Sequence, residues 1–397
     1  MKDSILIFGV GDLQKSIIER CKLKNLFVVG IDPQAQASCR NLVDAFEIVN
    51  GQVFEKTIEV AERYNVKGIV TAATDKPLVM MARVAEKLQL PFFSVETAEW
   101  STDKLMMKQK FQESGIPCAN GFILNSVDEL TELKVDYPVI VKPRDNSGSR
   151  GVIYCNNLKE VEIAVKEALQ YTKKGNVLIE EFIEGQEYSI EGIHYNGEHH
   201  VIQFTEKTTT NFPYNVEIAH IQPADISPQQ QNKIKKLITQ IGQTLGFENC
   251  ASHTELKINS RGIYIIETSP RLGGDFISST LVPLSTGINM EDILIDIATN
   301  NSLQHNWELR KLSKYSGIKY FELSDGLLYE INGLENLNKI PGIEQWYLGL
   351  KPGEKVNKIT CSLERFGYAI FQTNSKQELA NSFREVESIC NERLVIY

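Results

Sequence analysis

"HTELKINSRGIYIIETSPRLGG", residues 253–274, reads as two strands folded back on each other. Ser260-Arg261-Gly262 serves as a three-residue connection, with the glycine at the left-handed position. That register sets Glu255 opposite Glu267. Opposed side chains have Cβ atoms roughly 5 Å apart, and like charges there destabilise the pair. Two carboxylates kept face to face share a proton or bind a cation between them. Hard divalent cations take carboxylate oxygens, and magnesium commonly arrives with nucleotide phosphates. Ser269 lies on the same face by alternation, and Arg271 follows just past the strand. Ile265 and Ile266 argue against solvent exposure. Two surface glutamates in a hairpin are the plain alternative.

Cations stand upstream of the hairpin. In "VIVKPRDNSGSRGV", residues 139–152, Lys142 ends an apolar strand, and its ammonium needs an anionic partner. Ser147, Gly148, Ser149 and Gly151 follow in a loop whose backbone N–H groups can turn toward phosphate oxygens. It is not a P-loop, because GxxxxGK[ST] is absent. Lys104 in "STDKLMMK" and Lys207 in "QFTEKTTT" are further candidate cations. "NVLIEEFIEGQEYSIEG", residues 176–192, is an apolar strand broken by acids. Glu181, Phe182 and Ile183 can form the strand edge and apolar wall that hold a base. Glu187 is placed to accept ribose hydroxyls. Taken singly, each lysine reads as a solvated surface group and the strand as an ordinary hairpin.

Farther out, strands alternate with helices from "SILIFGVGDLQKSIIERCKL" to "KPLVMMARVAEKL", which means a parallel α/β sheet. "GVGDLQ" has Gln14 where a dinucleotide fingerprint wants a small residue, so Gly9 and Gly11 read as a tight βα turn, with Asp32 ending the second strand. Ser101 or Thr102 can cap a helix that stops at Gly115. A small α+β lobe follows near residues 116–185. Then come a hairpin turned at Asn196-Gly197, a long helix over "SPQQQNKIKKLITQIGQTLGF" and the glutamate hairpin. Strands return around "PGIEQWYLGL" and "RFGYAIFQT", ahead of a last helix over "KQELANSFREVESIC".

At 397 residues the chain supports two or three domains. A net charge of −9 argues against a general nucleic-acid binder while leaving an anionic small substrate open. Seven scattered cysteines without a CxxC pair read as reduced cytosolic thiols. "MKDSILIFGVGD" enters a strand at once rather than a signal peptide, and no apolar run is long enough to span a bilayer. The expected location is the cytoplasm.

In order, Asp103-Lys104, Lys142 with "SGSRGV", "IEEFIEGQE", "HTELK" and "IIETSPRLGG" resemble the ATP-grasp superfamily of carboxylate ligases. "NCASHTELK" with "ETSPRLGG" behind it looks most like the branch that joins L-amino acids into dipeptides. The resemblance implies three parts: an α/β parallel-sheet pre-ATP-grasp domain over 1–95, a two-lobed α+β ATP-grasp domain over 96–300, and a small β-rich lobe over 301–397. It implies ATP and two Mg2+ ions as cofactors, with Mn2+ as a substitute. Lys104, Lys142 and the 146–151 loop would hold phosphates, with Lys207 a third cation. Glu180, Glu181, Phe182 and Ile183 would bind adenine, and Glu187 the ribose. Glu255 and Glu267 would hold metal. Ser269 stands where the family has asparagine, which leaves the third ligand open. Arg271 would anchor the substrate carboxylate or its phosphorylated form, beside Gly273 and Gly274. Glu217, His220 and Asp275 fall on the acceptor side, where Asp275 would favour a cationic or amino-bearing group.

The implied reaction phosphorylates a carboxylate and joins the acyl phosphate to an amine, releasing ADP and phosphate. The substrates would be small molecules, with no nucleic acid and no membrane; homodimers are frequent in the superfamily. A purine-pathway or biotin-carboxylase-like enzyme is the rival enzyme reading. A non-catalytic nucleotide-binding regulatory protein is the rival from another class.

Overall fold

The computed structural model describes residues 2–132, 135–301 and 312–396. Four parallel strands open the chain, in spatial order Ala45–Ile48, Phe27–Asp32, Ser4–Phe8 and Val66–Val70. Ser4–Phe8 is buried at every position, as a central strand between two covered faces must be. Its turn is a tight βα connection: Gly9 has φ +86°, and a Cβ there would crowd Gln14. One Asp32 oxygen accepts from Val10 N of that turn at 2.9 Å, and the other accepts from Gln34 N in the loop after its own strand at 2.8 Å.

The helix after this domain starts later than Ser101 or Thr102. Val95–Thr102 is a helix of its own, capped by Ser94. Asp103 then adopts extended backbone and caps Lys104–Glu113, accepting from Leu105 N at 3.0 Å and Met106 N at 3.3 Å. A carboxylate satisfies two orphan N–H groups there and matches the helix dipole.

A four-stranded lobe follows, ordered Gly121–Leu124, Val177–Glu181, Val139–Pro143, Ile153–Cys155. The helix Leu158–Ala168 covers it through Val161, Ala164 and Val165, which close a separate small core.

The largest sheet has eight antiparallel strands. Its order is Ile263–Ser269, Cys250–Ile258, Gln186–Tyr195, Glu198–Thr209, Glu217–Gln222, Tyr315–Tyr320, Gly367–Thr373, Ile343–Leu348. Alternation along these strands builds the site. Tyr188, Ile190, Phe204 and Leu256 turn to one face and pack with Ile234, Ile238 and Ile241 of the helix Pro228–Leu245. Glu187, Lys207 and Glu255 belong to the opposite, polar face. Ser227 and Gln230 form a capping box at the start of that helix, and Gly246 with φ +71° ends it. Three strands beyond residue 312 extend this same sheet. The rest of the C-terminal part is a three-stranded sheet (Lys355–Val356, Gly326–Ile331, Leu394–Ile396) and the helix Lys376–Arg393.

Candidate active site

Glu255 does face Glu267 across the hairpin. The connection has four residues, Asn259 to Gly262, because Ile258 pairs with Ile263. A bulge after Glu255 absorbs the extra residue and restores the pairing. The Asn259 side chain holds the turn, accepting from Arg261 N at 2.9 Å and Gly262 N at 3.2 Å.

Each carboxylate of the pair meets a lysine. Lys104 Nζ lies 2.9 Å from Glu267 Oε2 and donates to the Asn146 carbonyl at 2.8 Å. Lys207 Nζ lies 2.9 Å from Glu255 Oε1, 2.9 Å from Glu187 Oε1 and 3.1 Å from Glu217 Oε1. Burial opposes the Lys207 charge, but the three carboxylates outweigh it and raise its pKa well above the ordinary value. Likewise burial works against the Glu255 carboxylate, yet Lys207 and His253 hold its pKa well below the usual range. His253 bridges inward, with Nε2 3.3 Å from Glu255 and Nδ1 2.7 Å from the fully buried Glu191. Burial pulls its imidazole down; Glu191 and Glu255 more than compensate and lift it to about 9.

Lys142 is 4% exposed at the end of its strand. Its partner is Glu180, with Nζ 2.8 Å from Oε2. Lys108 approaches the other Glu180 oxygen at 3.1 Å. Burial lowers the Lys142 pKa, with Lys108 and Lys104 adding to the effect against Glu180. Glu180 thus pairs with the lysine and also lines the cavity, together with Glu181, Phe182 and Ile183. The loop after Lys142 carries three left-handed residues, Gly148 (φ +69°), Ser149 (φ +56°) and Gly151 (φ +71°). Gly151 is also tightly packed, since a Cβ would come within 2.8 Å of Tyr171.

These groups surround one cleft, with a cavity volume of about 120 Å3. Lys104, Lys142, Asn146 to Arg150, Glu187, Glu217, Glu255, Lys257 and Glu267 all reach it. The donor set suits a hard divalent cation: two opposed carboxylates share a wall, and lysine ammoniums now supply their positive charge.

Ser269 and Arg271 both engage an acid of the N-terminal domain, Asp75. Ser269 Oγ donates to Asp75 Oδ1 at 2.5 Å, and Arg271 pairs with both Asp75 oxygens, Nε at 2.8 Å and Nη2 at 3.1 Å. Burial raises the Asp75 pKa, but Arg271 overrides it and leaves it at about 2. Asp75 comes from the N-terminal domain, just past the strand Val66–Val70, and sequence reasoning missed it. Its signal was available, since ligands of parallel sheets gather at the carboxyl ends of strands. Asp275 is bound by Arg365, Nη1 to Oδ2 at 2.7 Å and Nη2 to Oδ1 at 2.5 Å, with His220 Nε2 3.2 Å away. The acid expected to attract a cationic substrate group thus already carries a guanidinium. Gly273 N donates to Ser278 Oγ at 2.8 Å, and Gly274 precedes Asp275 in the same turn. His253, Glu191, Lys108 and Arg365 had no local pattern to announce them.

Among the described residues, no helix is long and apolar enough to cross a membrane, and all seven cysteines are free.

Residues 135–279 match the model of the ATP-grasp domain, and residues 319–388 match L-amino acid ligase C-terminal domain 2. The chain is similar to alanine–anticapsin ligase of Bacillus amyloliquefaciens, 27% identical over 272 residues that cover 62% of this chain and 57% of that protein. It thus spans less than two thirds of that relative's length. It is also similar to the L-arginine-specific L-amino acid ligase of Bacillus subtilis, 26% identical over 299 residues, covering 72% of this chain and 70% of that one. The fold matches the crystal structure of L-amino acid ligase from Bacillus licheniformis with a TM-score of 0.85 at 23% identity, over 100% of this chain and 98% of that one.

Proposed function

We propose, from the matches to the ATP-grasp domain over residues 135–279 and to L-amino acid ligase C-terminal domain 2 over residues 319–388, that the chain is an ADP-forming ATP-grasp ligase joining a carboxylate to an amine, with amino acids as substrates. One observation carries the reading. The facing acids Glu255 and Glu267 share a cavity with Lys104, Lys142 and a loop rich in left-handed residues. Such a site matches a nucleotide triphosphate tail and its cation in charge and shape.

A carboxylate is a poor electrophile. An oxygen of the substrate carboxylate takes the γ-phosphoryl group of ATP, and ADP leaves. An amine nitrogen then attacks the acyl carbon, loses a proton, and phosphate leaves. Lys104 and Lys142 hold phosphate oxygens, and Lys104 can exchange Glu267 for them without leaving the Asn146 carbonyl. The 146–151 loop covers the phosphates and keeps water from the acyl phosphate. Arg271, oriented by Asp75, anchors the substrate carboxylate or its phosphorylated form. Glu181 to Ile183 wall the base, and Glu187 accepts from the ribose. Glu255 and Glu267 would hold magnesium, two ions in the finer form of the proposal, and the metal would offset charge on the transferring phosphoryl group.

The test is phosphate release from ATP with magnesium, over L-amino acids singly and in pairs, with bicarbonate as a separate arm. Release is expected only when two amino acids are present. Glu255→Gln and Glu267→Gln should each lower turnover by about 100-fold or more, as loss of a charge-stabilising group does. Release with bicarbonate alone would move the protein to the carboxylase-type chemistry. Silence in every arm would remove the ligase reading.

A further inference from the structure

Arg365 reaches across from the C-terminal part into the neighbourhood of the site. It sits between a short 3-10 turn, Ser362–Glu364, and the strand Gly367–Thr373. Its side chain is 7% exposed, and its guanidinium is fully engaged. Nε donates to Ser362 O at 2.9 Å, Nη1 to Glu217 O at 3.2 Å, and the fork closes on Asp275. The ring of Tyr320 lies 3.8 Å from the guanidinium carbon, a cation–π contact that fixes its plane.

What Arg365 grips is strained. Asp275 and Phe276 have φ of +54° and +61°, two successive non-glycine residues in the left-handed region. Such conformations persist only where surroundings impose them. They directly follow the Arg271–Gly274 segment and lead into the π-helix Ile277–Leu281. The same C-terminal turn touches two other parts of the site. Ser362 Oγ donates to Glu217 Oε2 at 3.2 Å, and Ser362 N reaches the Gly148 carbonyl in the phosphate loop at 3.4 Å.

We propose that Arg365 is a positioning residue of the active site, clamping the Asp275–Phe276 turn against Glu217 so that the amino-acid side of the cavity and the 146–151 loop are set together. The claim deepens the ligase reading and rests on it for the identity of the substrate. Arg365 also cancels the Asp275 charge, so the acceptor side favours amino acids with neutral side chains over basic ones.

The test compares the full-length wild type with Arg365→Met and Arg365→Lys. Lysine keeps the buried charge, and so the fold, but loses the planar fork. In steady-state ADP release, Arg365→Met should raise KM for one amino acid about tenfold or more, with KM for ATP within about twofold. Selectivity should shift toward lysine or arginine as the acceptor. Arg365→Lys should recover part of the KM but not the wild-type value. Hydrogen exchange is the second readout: residues 146–152 and 273–278 should exchange faster in Arg365→Met, with the N-terminal sheet unchanged. Should Arg365→Met not fold, Arg365→Lys carries both readouts. All KM values rising together, or unchanged exchange in both segments, would overturn the proposal. Wild type that turns over no amino-acid pair would sink the ligase reading instead, and exchange alone would then decide for or against the clamp.

Discussion

Glu180 is 5% exposed and stands between two ammoniums, Lys142 at 2.8 Å and Lys108 at 3.1 Å. The Lys108 contact is an ion pair without an aligned hydrogen bond, since Glu180 Oε1 has no hydrogen-bond partner among the described residues. One carboxylate therefore neutralises only half the local charge. Removing one member of a buried ionic cluster leaves the others uncompensated, at a cost of about 3–5 kcal/mol. Glu180→Gln should lower the free energy of unfolding by about that much in urea. Adding Lys142→Met should recover part of it, because one unpaired cation then goes too. A single-variant loss within about 1 kcal/mol of zero would show that Glu180 does not sustain the lysines. The family resemblance implies Glu180 as an adenine contact, and Glu180 does line the cavity; its pairing with two lysines was not legible in the sequence. The lysine that lies below it, Lys108, is 72 residues away in the chain.

At the scale of elements, the pairing of Glu255 with Glu267 was legible, because strand alternation and loop length constrain register. The bulge was not, and the loop was read one residue short; the two differences cancel at the glutamates. The Asn196-Gly197 hairpin and the long helix over Pro228–Leu245 were readable for the same local reason. Asp103 was misread as interior to a helix, since nothing local separates one capped helix from two. Charges buried at helix ends also escape a sequence reading. Glu291 lies in the first turn of Met290–Ala298, 1% exposed, and accepts from Ser16 Oγ at 2.6 Å. Burial raises its pKa from 4.5 to about 7, against the opposing pull of Ser16 and Arg20. Between those values the folded chain keeps a proton that the unfolded chain has released. That contribution to stability is whole below about pH 4.5 and is lost as pH rises through 7. Glu291→Gln keeps the shape and removes the titration. The stability difference, variant minus wild type, should grow by about 2–3 kcal/mol between pH 5 and pH 8. A difference that is flat with pH, measured by urea unfolding at both values, would mean that Glu291 ionises normally.

For the whole molecule, the decisive fact is that one sheet runs through both the ATP-grasp part and the C-terminal part. Tyr315–Tyr320 pairs with Glu217–Gln222, setting Ala219 opposite Lys319 and His220 opposite Ile318. The strand carrying Glu217 and His220 thus owes one edge to residues beyond 312. Ile318, Tyr320 and Ile370 also close a core with Ile277 and Leu281 of the π-helix. Sequence reading saw strands returning after residue 305 but took them for an appended lobe, because partners in an antiparallel sheet leave no mark of which distant edge they join. A chain ending at residue 301 would expose the backbone edge of Glu217–Gln222, the apolar face around Ile277 and Leu281, and an Asp275 that has lost its guanidinium. Open edges and uncovered apolar surface of that kind drive self-association. The shortened chain should therefore collect in the insoluble fraction or elute as large species that bind a hydrophobic dye. The full chain should unfold in a single step shared by the large sheet and its extension. A truncated chain that is monomeric, dye-silent and as heat-stable as the full protein would mean that the shared sheet contributes nothing to folding, and that the C-terminal strands are an accessory rather than a wall of the site.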